Sequence, residues 1–429
     1  MRTTTGIVVL IATLSIISFV GAQAGEFATS GTFPPSQTVD RIAYVTPKGY
    51  IVAVNSDGSE PKRMIPPEGR FAWPTWSPDG RMLAFSGLVT SPDGSHQASL
   101  YNYNSFNDQV ARLFLGQPGV TSWVAARAPH YMNWSPDSSR LAFIASTRDG
   151  LKLYSTNLRV WQEANELLRR GPIWFDWSSN SLEMFAHRGT ERLQIDVARA
   201  VPVKFDIRDT QLGSRVPQVR PGTNNVTYTT NNSGLSYDLK LSSESGTTTL
   251  VAGLPPGATF QWAPNGNVIA VTDPESVEIF RPLGVQVYKH ISIFSSTGQH
   301  LGLEVEEPVI GFFWSPDSTK LLYASLVPNS NNLRWGLLDL NARESWALAD
   351  FRPSIDQLVV LQFFDQYSRS HAQWAPTSDS FVFAGLLAGR GRSVSTNLQE
   401  VTNIYVVDTS KSPEINVLAE GSLAFWSPR

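Results

Sequence analysis

The chain has 429 residues, of which 41% are hydrophobic and 17% are charged. Its 34 lysines and arginines and 37 aspartates and glutamates give a formal net charge of −3, so the sequence has no basic excess of the kind that binds nucleic acid. The absence of cysteine excludes disulfide bonds, zinc–thiolate centres and cysteine nucleophiles. We therefore expect a protein with a large apolar core that does not bind nucleic acid.

The N-terminus has the pattern of a secretory signal peptide. Arg2 precedes an uncharged, largely apolar run over 6–20, and Ala22 and Ala24 supply the small residues of a cleavage site after Ala24. This run is shorter than the roughly 20 apolar residues that cross a bilayer. The sequence predicts a signal peptide over 1–24, a linker over 25–38 and an extracytoplasmic protein, periplasmic or secreted, with no stable membrane insertion after cleavage. An uncleaved membrane anchor is the alternative.

A turn signature, Trp-Ser-Pro-Asp, recurs from residue 76 onwards. Its clear, relaxed and decayed copies begin at Trp76, Trp134, Trp177, Trp262, Trp314, Trp374 and Trp426, at intervals of 58, 43, 85, 52, 60 and 52 residues. A period of about 50 residues indicates a repeat architecture. The interval of 85 residues predicts a further copy near residue 217 that has lost its tryptophan.

Each copy of the signature has the pattern of a hairpin. Proline fixes φ near −65° in the turn, and the polar residue that follows helps to close it. Apolar runs begin soon after the turns, at 82–85, 141–144, 268–271, 321–324 and 381–384, and further strand-like runs follow. Four antiparallel strands per repeat are typical of one β-propeller blade. The sequence predicts an all-β protein in which 161–170 is the only stretch of the mature chain that suggests a short helix.

The two ends of the repeat region complement each other. Residues 41–45, 50–55 and 61–65 have the pattern of the second, third and fourth strands of a blade, whereas 423–428 has the pattern of a first strand. We expect them to form one composite blade that closes the domain over 39–429 and leaves no open sheet edge. The prediction is a single propeller of eight four-stranded blades. Seven blades are the alternative, if the region near 217 is an insertion in a neighbouring blade.

The repeat resembles a known family. Trp76-Ser77-Pro78-Asp79-Gly80, followed by a Leu-Ala-Phe strand, is similar to the repeat of the TolB-type or WD40-like (PD40) β-propeller family, and the similarity extends over essentially the whole mature chain. The family includes periplasmic protein-interaction modules and the gating propellers of prolyl-oligopeptidase-like peptidases. Within these 429 residues we expect neither the N-terminal α/β domain of the former nor the C-terminal hydrolase domain of the latter. The resemblance therefore implies a fold and does not assign a function.

Catalytic signatures are missing from the sequence. It contains no Gly-x-Ser-x-Gly elbow, no His-Glu-x-x-His, no calcium loop and no phosphate-binding loop. The six histidines are dispersed without the spacing of metal ligands, so we expect no metal and no cofactor. The repeated Asp79, Asp137 and Asp317 lie in the hairpin turns, where the predicted role is that of a structural cap.

The connection between the copies at Trp314 and Trp374 contains more residues than a blade needs. Residues 350–371 combine an apolar stretch with aromatic and charged side chains, and a connection at this position crosses one face of a propeller close to its central funnel. One interpretation is a binding surface. The other is a structural plug, with Phe363 and Phe364 buried and Arg369 paired to Asp365. The candidate binding residues are Tyr367, Arg369, His371, Phe364, Asp365, His130, Tyr131 and Asp176.

These features predict an exported, non-enzymatic, monomeric scaffold that binds a protein or a cell-envelope component at its funnel face. The alternative is a propeller enzyme, a hydrolase or lyase acting on a polysaccharide or peptide in the central funnel. Two or more acidic, tyrosine or histidine groups converging around one cavity would favour the enzyme. A third hypothesis is a structural or sensory partner of a membrane transporter.

Overall fold

The computed structural model describes residues 40–64, 71–90, 93–105, 107–118, 120, 130–159, 163–189, 191–204, 216–232, 236–274, 285–389 and 401–429. The predicted signal peptide and linker lie outside these residues. Within the described residues, none of the helices has both the length and the apolar character that crossing a membrane requires.

The described residues form 31 strands and two short helices. The first strands are β1 (Arg41–Val45), β2 (Ile51–Asn55), β3 (Lys62–Arg63), β4 (Phe71–Trp76), β5 (Met82–Thr90), β6 (His96–Asn104), β7 (Gln109–Leu115), β8 (His130–Trp134), β9 (Arg140–Thr147), β10 (Gly150–Asn157) and β11 (Asn165–Arg169). They are followed by β12 (Ile173–Trp177), β13 (Glu183–Arg188), β14 (Glu191–Asp196), β15 (Val201–Lys204), β16 (Gln218–Val219), β17 (Val226–Asn231), β18 (Tyr237–Ser243), β19 (Gly246–Leu254), β20 (Thr259–Trp262), β21 (Val268–Pro274), β22 (Tyr288–Ser295) and β23 (His300–Val305). The remaining elements are β24 (Val309–Trp314), β25 (Lys320–Leu326), β26 (Leu333–Asp339), β27 (Glu344–Pro353), α1 (Ile355–Gln362), α2 (Phe364–Tyr367), β28 (Ser380–Leu387), β29 (Asn403–Asp408), β30 (Ile415–Glu420) and β31 (Leu423–Trp426).

The strands pair in sequence order, as the all-β prediction requires. Four antiparallel four-stranded sheets are β4–β7, β8–β11, β12–β15 and β16–β19, and a fifth combines β1, β2 and β3 with β31. An eleven-stranded sheet contains three consecutive runs, β20–β23, β24–β27 and β28–β30, and Trp374 forms a bridge to Phe381 in front of the last run. The sheet β16–β19 lies where the sequence predicts a copy without tryptophan.

The first and last strands pair with each other, as predicted. β1 lies antiparallel to β31, with Ile42 opposite Trp426 and Val45 opposite Leu423. Trp426 is buried, and its indole Nε1 donates to the carboxylate of Asp40. The C-terminal strand therefore completes a sheet that begins with the N-terminal strands.

The turn signature is closed by its own side chains. In the copy at Trp314, Ser315 Oγ donates to Asp317 Oδ1 at 2.6 Å, and Asp317 Oδ1 also accepts from Thr319 N at 3.0 Å. Ser318 follows with a left-handed φ of 64°, and its hydroxyl accepts from the backbone N–H of Asn265 in the preceding copy at 3.0 Å. The same cross-copy bond recurs in three pairs: Asp79–Ser138, Asp137–Ser181 and Asp317–Ser378. The aspartates are turn caps, as the sequence predicts.

The signature tryptophans join neighbouring copies. The indole Nε1 of buried Trp134 donates to the carbonyl of Thr75 at 3.0 Å, and Thr75 immediately precedes Trp76 of the previous copy. The same relation holds for three further pairs: Trp177–Asn133, Trp314–Gln261 and Trp374–Phe313. Because a buried indole needs an acceptor, each bond places the first strands of two successive copies side by side.

The predicted helix over 161–170 is wrong. Its described part is the strand β11, where Leu168 pairs with Leu153 of β10, and Leu167 and Leu168 are buried. The helices α1 and α2 lie instead in the connection after β27. α1 begins at Ile355, and its N-cap is Ser354, whose side chain accepts from Gln357 N. Local pairing with β10 thus prevails over helix propensity in 165–169.

The two ends of the sheets carry different connections. The turn signature lies at one end, here termed the turn face. β24 and β25 are joined by such a turn, so the next connection, between β25 and β26, lies at the opposite end of the sheet. Leu333, the first residue of β26, pairs there with Phe351 near the end of β27. The residues that follow β27 therefore also start at this opposite end, termed the upper face.

Candidate functional site

The connection between β27 and the bridge at Trp374, residues 354–373, is termed the central segment. It contains α1, a break at Phe363 and α2, and most of its side chains between Val360 and Tyr367 are buried. Its first residue, Ser354, donates from Oγ to the carbonyl of Ser422 next to β31. This bond connects the N-cap of α1 to the sheet that combines β1 with β31.

α1 is held against two sheets by polar contacts. Ser422 Oγ donates to Asp356 Oδ2 at 2.7 Å, and Gln357 Oε1 accepts from the backbone N–H of Ala384 in β28 at 3.2 Å. Gln357 is fully buried. A buried amide needs such a partner, so these bonds fix the helix relative to β28 and β31.

Phe364 anchors the middle of the central segment. Its ring contacts Phe312 of β24 at 4.8 Å and Tyr288 of β22 at 5.7 Å between ring centroids. Its carbonyl accepts from Gln261 Nε2 of β20 at 3.2 Å. A Cβ at Gly311 would lie 3.2 Å from the Phe364 Cβ, so the glycine permits this close approach.

Arg369 forms an ion pair with a residue 193 positions away. Its Nη2 lies 2.6 Å from Asp176 Oδ2 of β12 and donates to the carbonyl of Val219 in β16 at 2.9 Å. Asp176 also accepts from the backbone N–H groups of Val219 and Trp177. Burial alone would lower the pKa of Arg369, but the neighbouring Asp176 carboxylate, with a further contribution from Tyr131, raises it above its usual value, so the guanidinium is charged.

The plug interpretation named Asp365 as the partner of Arg369, and the structure shows Asp176 in that role. Spacing of four residues brings two side chains together only on a continuous helix. α2 ends at Tyr367, so Arg369 lies beyond the helix.

Tyr131 lies beside this ion pair. Its hydroxyl accepts from Asn133 Nδ2 at 3.1 Å, and its ring contacts Phe175 at 4.9 Å. Burial and then the charge of Asp176 raise the pKa of Tyr131, with a further contribution from Asp365. The phenol is therefore neutral, and Tyr131, Asp176, Asp365 and Arg369 form one buried electrostatic group.

Tyr367 and His371 occupy the other side of the central segment. The Tyr367 ring stacks on Trp73 of β4 at 4.8 Å and contacts the His371 ring at 5.1 Å. His371 Nε2 is hydrogen-bonded to Thr75 Oγ1 at 2.8 Å, and Nδ1 to Ser370 Oγ at 2.6 Å. Burial lowers the pKa of His371 to about 3, so the imidazole is neutral at physiological pH.

The structure brings seven of the eight predicted site residues to the central segment or the strand ends that surround it. Six of them are buried: Phe364, Asp365, Tyr367, His371, Tyr131 and Asp176. Arg369 keeps 20% of its side chain exposed. His130 is described only as the first residue of β8. The seven residues other than His130 thus form an internal assembly, in which Arg369 reaches partly to solvent.

The sequence-based prediction missed the residues, in or next to strands, that contact the central segment. Thr75, Gln261 and Ser422 supply its polar partners, and Trp73 supplies the stacking surface. One signal was present, since Thr75 and Gln261 each precede a signature tryptophan. No local signal marks Ser422 or Trp73.

The charged and titratable side chains of this assembly are bonded to one another or to strand residues, which limits the chemistry that they can perform. Asp176 and Arg369 neutralise each other, and His371 does not titrate near neutral pH because its pKa is held near 3. Among the described residues, no group of three or more histidine, aspartate or glutamate side chains is arranged to hold a metal ion.

No family model and no curated protein matches the sequence. Among solved structures, the chain is similar to a eukaryotic initiation factor, with 14% identity over 92% of this chain and 99% of that one and a TM-score of 0.56. It is also similar to the β-propeller domain of the Trilobed protease from Pyrococcus furiosus, with 11% identity, 82% and 98% coverage and a TM-score of 0.47. A third similar structure is TolB from Acinetobacter baumannii, with 15% identity, 62% and 63% coverage and a TM-score of 0.35. Similarities at this level of identity concern the fold and not the activity.

Proposed function

We propose that the sheets form a closed, eight-bladed β-propeller whose channel is filled by the central segment. The five four-stranded sheets and the three runs of the eleven-stranded sheet make eight groups among the described residues. The composite sheet contacts neighbours on both sides, which supports closure: Trp426 N donates to the carbonyl of Ala372 at 2.7 Å, and Ser427 Oγ lies 2.8 Å from the position of a Cβ at Gly80. This arrangement favours eight blades over seven.

We infer that the propeller is a non-enzymatic scaffold that binds a protein or envelope component on its upper face. The observation that carries this proposal is the internal pairing of the central segment. Arg369, His371 and Gln357 are bonded to strand residues and are unavailable for chemistry on a substrate. A filled channel leaves the surface above it as the site of contact.

An exposed apolar residue supports the upper face as the binding surface. Ile355 starts α1 at this face and is 81% exposed, so its side chain is available for an apolar contact with a partner. Leu358 and Val359 of the same helix are partly buried. In this proposal Phe364, Tyr367 and His371 hold the segment in place, and Arg369 fastens it to β12 and β16.

The enzyme alternative rests on one observation, the convergence of Tyr131, Asp176 and Asp365. It has less support, because Asp176 already accepts from Val219 N and Trp177 N in addition to its ion pair with Arg369. Burial raises the pKa of Tyr131, which makes the phenol a poor general base.

Matched substitutions on the two faces test the scaffold proposal. The immobilised chain is used to capture proteins from a cell-envelope extract, and Ile355→Glu is compared with Leu182→Glu on the turn face, where Leu182 is 63% exposed. We expect Ile355→Glu to abolish capture of the principal partner and Leu182→Glu to retain it. Equal capture by both variants, or loss only with Leu182→Glu, would place the binding surface elsewhere.

We further propose that the chain is exported and acts as a monomer. Support for export comes from Arg2, the apolar run over 6–20 and the small residues before Gly25. Mass spectrometry of secreted or periplasmic material should find Gly25 as the new N-terminus. An intact Met1 in the membrane fraction would contradict cleavage.

A further inference from the structure

A groove lies on the upper face beside the start of β24. Its apolar lining consists of Pro308, Leu326, Val327 and Pro328, and residues 329–331 form a polar edge. The groove has a volume of about 590 Å³, within the range of about 300 to 1,000 Å³ that is usual for ligand sites. It is open to solvent, so it suits a segment that lies on the protein surface better than an enclosed small molecule.

The backbone around the groove is fixed by hydrogen bonds. Leu326 N donates to the carbonyl of Pro308 at 2.9 Å, and Val327 N donates to the carbonyl of Asn332 at 3.2 Å. Ser330 N donates to the carbonyl of Val327 at 3.2 Å and closes the β25–β26 turn. The apolar lining is therefore presented on a bonded framework, which reduces the ordering cost of binding.

One end of the groove carries an oriented carboxylate. Glu307 immediately precedes Pro308, and it accepts from Ser325 Oγ at 2.6 Å and from the Tyr323 hydroxyl at 3.3 Å. Tyr323 is buried, and a Cβ at Gly336 would lie 2.4 Å from its ring, so the glycine leaves the space that the ring occupies. Two hydroxyl donors thus hold the Glu307 carboxylate beside the apolar lining.

The charge at this end of the groove is negative. Glu306 is exposed next to Glu307. The nearby cation, Arg334, binds Asp350 through two bonds of 2.6 and 2.9 Å. Three carboxylates and one guanidinium leave a local net charge of −2 in this group of four residues, so a cation on the ligand would be attracted.

We propose that this groove binds an extended segment of a partner protein that carries a basic residue next to an aliphatic one. The basic group pairs with Glu307, and the aliphatic side chain packs on Pro308, Leu326 and Val327. This inference rests on the proposed scaffold function and specifies the chemistry of the partner. A second copy of this chain, or an apolar peptide without charge, are the other occupants that the experiment separates.

The test uses the full chain and two fluorescein-labelled peptides, Gly-Leu-Arg-Leu-Gly and Gly-Leu-Glu-Leu-Gly, in fluorescence anisotropy titrations. We expect the arginine peptide to bind with a Kd of about 10 to 100 μM, as a short ligand on an open groove does, and the glutamate peptide to bind at least about tenfold more weakly. Binding of the arginine peptide should weaken with added salt.

Two variants and a control locate the site. Glu307→Gln keeps the size of the side chain and should weaken the arginine peptide at least about fivefold, because it removes a charge-assisted contact. Val327→Asn should weaken both peptides. Glu163→Gln, an exposed residue remote from the groove with the same change in charge, should leave binding unchanged.

Equal binding of the two peptides, or an arginine-peptide affinity that Glu307→Gln leaves unchanged, would overturn the inference. Self-association in sedimentation that Glu307→Gln abolishes would do the same and would assign the groove to a second copy of the chain. If the peptide experiment contradicts binding at the groove while capture from envelope extract remains sensitive to Ile355→Glu, the proposed scaffold function is retained without this site. If capture is also insensitive to Ile355→Glu, the scaffold function is contradicted as well.

Discussion

The turn signature and the central segment stabilise the molecule in opposite ways. The turns are closed by residues within five positions, such as Ser315 with Asp317, and four of them add one bond to the next copy. The central segment has local backbone bonds as well, but its side chains also bond to distant partners such as Asp176 and Thr75, which are 193 and 296 positions from Arg369 and His371. Removing a hydrogen bond from one turn therefore disturbs only its surroundings, whereas removing a bond from the central segment affects several sheets at once.

The largest expected effect is that of breaking the ion pair in the central segment. Arg369→Met leaves the carboxylate of Asp176 buried without its cation, which we expect to lower the free energy of unfolding by about 3 kcal/mol. The double variant Arg369→Met with Asp176→Asn should recover at least half of this loss. Urea denaturation at pH 7 measures both.

Arg199→Met is the matched control for this prediction. Arg199 pairs with Asp196 at 3.4 Å, but its side chain is 81% exposed, so the loss should stay below about 0.5 kcal/mol. If Arg369→Met lowers the free energy of unfolding as little as Arg199→Met does, the central segment is no more sensitive to the loss of an ion pair than an exposed site.

A second prediction concerns the pH dependence of the central segment. The unfolded chain protonates His371 near pH 6.5, whereas the folded chain protonates it only near pH 3, because burial lowers its pKa. The stability that this neutral histidine contributes is complete above pH 6.5 and is lost as the pH falls towards 3, at up to about 1.4 kcal/mol per pH unit. Between pH 7 and pH 5 we expect a loss of about 2 kcal/mol from this residue.

His371→Gln isolates this contribution. The variant should show a fall in unfolding free energy between pH 7 and pH 5 that is smaller than that of the wild type by this amount, while His300→Gln, a change at a half-exposed residue, should follow the wild type. Parallel curves for the wild type and His371→Gln would mean that the folded imidazole is accessible to protons.

The smallest expected effect is in a single turn. Asp317→Ala removes the acceptor for Ser315 Oγ and Thr319 N and should cost about 1 kcal/mol. Asp317→Asn should cost less than about 0.5 kcal/mol, because Asn180 accepts from Ser178 in the same way in another copy. Thermal unfolding of the two variants measures the difference, and a cost for Asp317→Ala equal to that of Arg369→Met would contradict the view that turn losses are local.

The repeated part of the fold could be predicted from the sequence because its information is local. The turn signature itself contains the residues that cap the turn. The incomplete strand patterns at 41–45 and 423–428 indicated the pairing of β1 with β31. The copy near 217 was also predictable, because spacing replaces the missing tryptophan. Residues 165–169 were misassigned because their strand pairing with β10 is not visible in local propensity.

The central segment could be located but not understood from the sequence. Its excess length and its aromatic content identified it, and Ser354 with Gln357 would have indicated the start of α1. Its partners could not be predicted, because helices of this length are stabilised by tertiary packing, here against Phe312 and Tyr288. The spacing of Asp365 and Arg369 pointed to the wrong ion pair, because the partner of Arg369 is the distant Asp176.

The pairing of Ile42 with Trp426 has a consequence for biosynthesis. The two residues are 384 positions apart, so β1 leaves the ribosome well before its neighbour exists. At translation rates of about 5 to 20 residues per second, this interval lasts roughly 20 to 80 seconds. During that time one side of β1 is an unprotected template for other nascent chains, and a chaperone that shields the N-terminal strands would raise the yield of folded protein more than one that acts on any later blade.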